Sequence, residues 1–175
     1  MRDIYPFPGN LNWYKGNLHC HTGLSDAILS PNDKAALYKQ NGFHFLSITD
    51  HNVFNAQPYH EDENFLLLPG VELNIEYAQR PGSYHIVAFG ARGEISYPDN
   101  AKFAVPICND SSKAQEIIND IIRHNGLAML CHPVWCMLEL CDFENLTGLF
   151  AIEVYNHNCF LRVAAELRIY IGTAF

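Results

Sequence analysis

Asn41-Gly42-Phe43-His44-Phe45-Leu46-Ser47-Ile48-Thr49-Asp50-His51 is the stretch on which the reading of the fold turns. Gly42 supplies the left-handed exit that ends a helix. Phe43 to Thr49 is an apolar run of strand length. Thr49-Asp50-His51-Asn52 then closes that strand with polar side chains. A helix, a strand and a polar strand end in succession are the repeating unit of an α/β protein with a mostly parallel sheet. Upstream, Ser30-Pro31-Asn32-Asp33 reads as a helix start, with Ser30 as cap, Pro31 at the first helical position and an acid in the first turn. Residues 17–21 read as a first strand. Downstream, 52–64 is polar and irregular. Phe65 to Leu68 and Val71 to Leu73 read as one third strand continued around Pro69-Gly70, and Tyr84 to Phe89 as a fourth.

A loop rich in Gly, Pro and Asn covers 90–110. Ser112-x-x-Gln115 has the capping-box pattern, and Ile117, Ile118, Ile121 and Ile122 give one apolar helix face. Asn125-Gly126 ends this helix as Asn41-Gly42 ends the first. Leu127 to Cys131 reads as a fifth strand and Leu149 to Tyr155 as a sixth. Beyond them, Phe160 to Glu166 starts a helix and Leu167 to Ala174 a short seventh strand. The expectation is one α/β domain over 1–175, an incomplete or compact (β/α) barrel, with a doubly wound open sheet as the second choice.

With 175 residues and 49% hydrophobic content, the chain can bury a proper core. Met1 to Asn17 mixes prolines with polar residues and does not read as a secretory leader, and no apolar run is long enough to span a bilayer. A cytoplasmic protein without membrane contact is expected. The formal net charge of -8, with no Lys/Arg cluster, argues against stable binding to duplex nucleic acid, which needs cations against phosphates. A small phosphorylated substrate stays compatible with that charge if metal ions supply the positive field locally. The 6 cysteines include no C-x-x-C pair and read as reduced, mostly buried small hydrophobes.

His19 and His21 are two apart on a strand, so both side chains leave one face while Cys20 points into packing. A bare H-x-H is weak evidence of a metal site. The pattern recurs, however: Ser25-Asp26, Thr49-Asp50-His51, Gly70-Val71-Glu72, His85, Cys131-His132-Pro133 and Glu153-Val154-Tyr155-Asn156-His157 all fall at strand ends or openings. Catalytic groups of barrel and doubly wound folds gather at such ends. Core packing does not explain the set, because each buried unpaired polar group costs about 1–3 kcal/mol. Imidazoles with a few carboxylates suit zinc, manganese or iron. Paired ions of this kind activate water and clamp a phosphoryl oxygen.

In this order, His19-Cys20-His21-Thr22, Ser25-Asp26, Ile48-Thr49-Asp50-His51, Pro69-Gly70-Val71-Glu72, His85, His132-Pro133 and Glu153-Val154-Tyr155-Asn156 resemble the PHP (polymerase and histidinol phosphatase) family over roughly 15–157. The resemblance implies a distorted (β/α)7 barrel with two to three divalent ions (Zn, Mn or Fe). By the same resemblance His19, His21 and Glu72 look like ligands of one ion. Glu72, His85 and His132 look like ligands of a second, with Glu72 bridging, and Asp26 and His51 like ligands of a third. Asp50 is expected to orient a histidine from behind, and Asn156 or His157 to border the substrate. Two departures stand out. Ala27 follows the Ser-Asp pair where relatives usually have Gly. The family's terminal Asp and His, which complete the first and third ions, have no counterpart before Phe175, so the barrel is expected to be incomplete and the third ion weakly held. Exposed strand edges would then invite pairing with another copy of the chain.

The activity implied is hydrolysis of a phosphomonoester or small phosphodiester by a metal-activated water. The alternatives are a metal-binding but catalytically impaired remnant or interaction module, and a C–N hydrolase of the amidohydrolase type, which also begins with H-x-H on a first strand.

Overall fold

The computed structural model describes residues 11–93, 95 and 105–159. Their strands form two sheets. The first has the order β1-β2-β3, from β1 (Gly16–Asn17), β2 (Phe45–Ser47) and β3 (Leu66–Leu68), all parallel. The second contains β4 (Gly70–Tyr77), β5 (Ser83–Phe89), β6 (Ile107–Cys108), β7 (Leu127–Leu130) and β8 (Leu149–Ile152), in the order β6-β4-β5-β7-β8. Three helices accompany them: α1 (Pro31–Gln40), α2 (Ser112–Arg123) and the short α3 (Leu140–Phe143).

The α/β class agrees with the sequence, but the mostly parallel sheet does not. β5 runs antiparallel to both β4 and β7. The reason is the connection: Ala78 to Gly82 is too short to cross over, and a parallel return needs a dozen or so residues. Gly82, at φ +124°, makes the turn, and the Tyr77 amide donates to the Gly82 carbonyl at 3.1 Å. The expected single third strand is also two strands. β3 and β4 lie in different sheets because Pro69, which has no N–H to give, separates them. Among the described residues the strands close no barrel. Near the candidate site Thr49 donates to Cys20 at 2.8 Å, continuing the β1–β2 pairing, and His51 bridges Glu72 in parallel, which joins the two sheets by main chain.

The helix boundaries follow local chemistry. The Ser30 hydroxyl accepts the Asp33 amide at 3.1 Å, with Pro31 next to it, as expected. The capping box expected at Ser112 is absent. Ser112 is already helical, its amide donates to Asp110 Oδ1 at 2.9 Å, and Gln115 instead exchanges hydrogen bonds with the Thr147 backbone. Ile117, Ile118 and Ile121 are buried against Val71, Ile86 and Leu130, whereas Ile122 is half exposed. The first strand stops at Asn17, short of the histidines, and the sixth stops at Ile152. β6 lies inside the expected loop. The helix expected at Phe160 and the strand expected at Leu167 to Ala174 lie outside the described residues.

Three apolar clusters hold the sheets among the described residues. The largest packs α2 on β4, β5 and β7. The second joins Cys20, Ala35, Leu46, Ile48 and Phe65 at α1. The third gathers Val87, Phe89, Met129 and Cys131 from β5 and β7, with Leu18 and Ala151 against them. Cys20 is thus a packing residue, as the sequence reading expects, although β1 ends before it. No helix among the described residues is long and apolar enough to cross a membrane.

Candidate metal centre

Glu72 sits where the two sheets meet. It is fully buried, and the β4 backbone delivers it through the Asp50–Glu72 and Glu72–Asn52 hydrogen bonds. A buried carboxylate without partners would be too costly to keep ionised. Imidazoles meet that cost here. His85 Nδ1 lies 2.9 Å from Oε1 and His132 Nε2 3.3 Å from it. His21 Nε2, His51 Nδ1 and His19 Nε2 lie 2.8, 3.1 and 3.4 Å from Oε2. Burial pushes the Glu72 carboxyl up, but His132, His19, His21 and His85 outweigh it and hold it well below the usual carboxylate range.

Oε2 nevertheless has no hydrogen-bond partner among the described residues, so the short contacts from His21 and His51 lack hydrogen-bond directionality. A buried oxygen faced by ring nitrogens that do not donate to it is the arrangement a cation resolves. Donor sets within 4.8 Å of one another are His19, His21 and Glu72; His51, Glu72 and His85; His21, Asp26 and His51; His85, His132 and Cys136; and His19, Cys131 and Glu153. The nitrogen and oxygen donors fit a divalent ion of the zinc, manganese or iron kind.

The structure brings all seven sequence candidates, His19, His21, Asp26, His51, Glu72, His85 and His132, to this one place. They arrive from different elements. His19 and His21 follow β1, with their Nε2 atoms 3.1 Å apart. His51 follows β2, and its Nδ1 also meets Asn74 Oδ1 at 2.9 Å. His85 comes from the opening half of β5, paired with Asn74 across the hairpin. His132 follows β7 with φ at +25°, a sparsely populated conformation for a non-glycine residue. That conformation lets its amide donate to Glu153 Oε2 at 3.1 Å while its ring faces Glu72.

The charges differ around the ring. His19 and His21 are raised: burial opposes this, but carboxylates prevail for His21, and Cys131, Glu153 and Glu72 for His19. His51 is lowered by burial, helped by His21 and His85 and resisted by Glu72. Asp26, largely exposed, reaches His21 Nδ1 at 2.7 Å and is lowered by that contact against partial burial.

Asp50 departs from its expected role. Its carboxylate accepts the Thr22 amide at 2.7 Å, the Thr22 hydroxyl at 2.6 Å and the Ser25 hydroxyl at 2.6 Å. It therefore holds the loop that carries Asp26 rather than orienting a histidine. Ala27 completes that loop by donating its backbone N–H to the Thr22 carbonyl at 3.1 Å. Asn156 borders the cavity over the centre, which has a volume of about 330 Å³, and donates to Glu153 Oε1 at 3.2 Å. His157 contacts the Tyr155 hydroxyl at 3.1 Å and does not line the cavity.

Sequence reasoning missed three neighbours. Glu153 Oε1 lies 3.2 Å from His19 Nδ1 and joins the first segment to the last described strand. Its strand-end position was the available signal. Cys136 Sγ lies 3.3 Å from His132 Nδ1, and Cys131 flanks His19 and Glu153. Burial pushes the Cys131 thiol up to about 11 and Cys136 to about 12. Cys131 stands in the quoted Cys131-His132-Pro133 strand end but reads there as a packing residue, and Cys136 stands in no metal-binding spacing.

Among solved structures the chain is similar to a candidate metal-dependent phosphoesterase from Bifidobacterium adolescentis, with 16% identity, a TM-score of 0.52, and coverage of 86% of this chain and 82% of that one. It is also similar to an amidohydrolase from Chromobacterium violaceum, with 16% identity, a TM-score of 0.48, and coverage of 89% and 84%. A two-domain protein from Bacteroides vulgatus with a predicted PHP-like metal-dependent phosphoesterase gives 16% identity, a TM-score of 0.43, and coverage of 87% and 42%. The first likeness shows a shared fold. No family model and no curated protein matches the chain.

Proposed function

We propose that this chain is a PHP-type metal-dependent phosphoesterase that hydrolyses a phosphomonoester or small phosphodiester. The observation that carries the reading is Glu72: a fully buried carboxylate, one oxygen of which makes no hydrogen bond among the described residues, ringed at ion-pair distance by imidazoles from both sheets. His19, His21 and Glu72 would hold one divalent ion, Glu72, His85 and His132 a second, and Asp26 with His51 a third. Such ions, when bound, supply an activated water and neutralise charge on a phosphoryl group.

The chain's own residues do the rest. Glu72 sets the spacing of the donor sets by facing one oxygen to each. Glu153 orients His19 through Nδ1, which turns Nε2 towards the centre. Asp50 fixes the Thr22–Ser25 turn and so positions Asp26. Asn156 borders the space left for substrate, held by Glu153. Cys20 touches the cavity but is nearly buried, and burial pushes its thiol up, which leaves it a poor nucleophile beside a metal-activated water.

Protein loaded with manganese or zinc is expected to hydrolyse an aryl phosphate such as p-nitrophenyl phosphate. Chelation should abolish turnover, and His19→Ala should lower kcat/KM by about 100-fold or more, since misplacing the reacting groups alone costs that much. Absence of turnover with any of these metals, across phosphomonoesters and small diesters, overturns the proposal. Turnover confined to C–N substrates transfers the same centre to amide hydrolysis.

A further inference from the structure

The cavity above the metal centre contains a cation that the ligand set does not use. Lys34, on α1, lines it together with the histidines. It is the one lysine or arginine among the lining residues described. Tyr38 lies one helical turn further along the same face and lines the cavity too. The Tyr38 hydroxyl is already engaged, accepting from Asn17 Nδ2 at 2.7 Å. Lys34 has no ion-pair partner among the described residues. The contrast with Lys39 on the same helix is direct: Lys39 Nζ is tied to Asp62 Oδ2 at 2.6 Å and to the His60 carbonyl at 2.7 Å.

A cation kept in a cavity without a carboxylate partner is matched to an anion that arrives from outside. The surroundings sharpen this. The protein carries a net charge of -8, and Glu72, Asp26 and Glu153 stand around the centre. A dianionic substrate approaching that field gains from a positive charge in the cavity that is not itself part of the ligand set. Lys34 provides it.

We infer that Lys34 is the substrate-recognition residue of this site: its ammonium ion-pairs with a non-bridging phosphoryl oxygen, which makes dianionic phosphomonoesters the preferred substrate class over monoanionic diesters and uncharged amides. The inference rests on the phosphoesterase reading above and deepens it. A monoester has one more negative charge than a diester, so the benefit of the lysine is larger for the monoester. Arginine keeps the charge and can donate in the same direction.

The test compares the wild type with Lys34→Gln and Lys34→Arg in the metal-loaded protein. Two readouts are used: binding of inorganic phosphate by calorimetry, and kcat/KM on p-nitrophenyl phosphate against bis(p-nitrophenyl) phosphate. K34Q is expected to weaken phosphate binding by about 10-fold or more, the loss of one charge-assisted hydrogen bond. It should lower the monoester-to-diester ratio by a similar factor, with K34R recovering most of both and metal content unchanged in both variants. K34Q protein that binds phosphate like the wild type, or loses monoester and diester activity alike, overturns the inference. So does wild-type protein that binds no phosphate. Phosphate held through Lys34 by a protein that hydrolyses no ester keeps the inference and removes the catalytic reading. Ester turnover untouched by K34Q does the reverse.

Discussion

Glu72 shows what a single residue must satisfy at the junction of two sheets. It is charged because imidazoles from four segments of the chain face it, and those imidazoles are ordered because it is charged. Glu72→Gln keeps the shape and removes the charge. Zinc or manganese affinity, measured by equilibrium dialysis with elemental analysis, is expected to fall by about 10-fold or more. Asp50 acts at one remove. Asp50→Ala leaves the buried Thr22 amide and hydroxyl without their acceptor, which should cost about 3 kcal/mol in urea unfolding and loosen Asp26. At this scale the sequence was most informative. The H-x-H spacing placed His19 and His21 on one side, and their Nε2 atoms do converge. Asp50 was harder to read, because a carboxylate next to a site histidine says nothing of which way its oxygens turn.

Elements were legible where the signal is local and obscure where it depends on pairing. The Ser30-Pro31 start and the Asn41-Gly42 stop of α1 stand where the sequence puts them, since caps and left-handed exits are decided within a few residues. Strand direction is not decided that way. The parallel expectation failed at β5, although the five residues from Ala78 to Gly82 were themselves too few for a crossover. Gly70 marks the other boundary. A Cβ there would run into the Ser47 hydroxyl and come within 2.9 Å of Thr49 Cγ2. β4 therefore passes against the end of β2 only with a glycine at this point. Gly70→Ala is expected to destabilise the protein by about 1–3 kcal/mol in denaturant melts, the usual cost of overpacking.

Across the molecule, the candidate ligands are divided between the sheets. His19, His21 and His51 belong to the β1–β3 side, and Glu72, His85 and His132 to the β4–β8 side. Ions bound by both groups would tie the sheets together, so metal and stability are linked. Adding zinc or manganese at about 100 times its Kd should raise unfolding stability by about 2.7 kcal/mol, and chelation should reverse it, as read by the melting temperature. A melting temperature indifferent to metal would contradict ligation across the sheets. The overall α/β class was legible from the alternation of runs and caps. Division into two sheets was not, because Pro69 looks the same in sequence whether it bends one strand or separates two.

The β4–β5 hairpin also sets an order of assembly. Glu72 and His85 are 13 residues apart and meet across a short turn, whereas His19 and Glu153 are 134 apart. Local contacts close at little entropic cost and long loops at more, so the hairpin half of the centre should form early and the His19–Glu153 contact late. In stopped-flow refolding, Ile86→Val, within the hairpin, is expected to slow folding. Glu153→Gln should leave the folding rate nearly unchanged and speed unfolding.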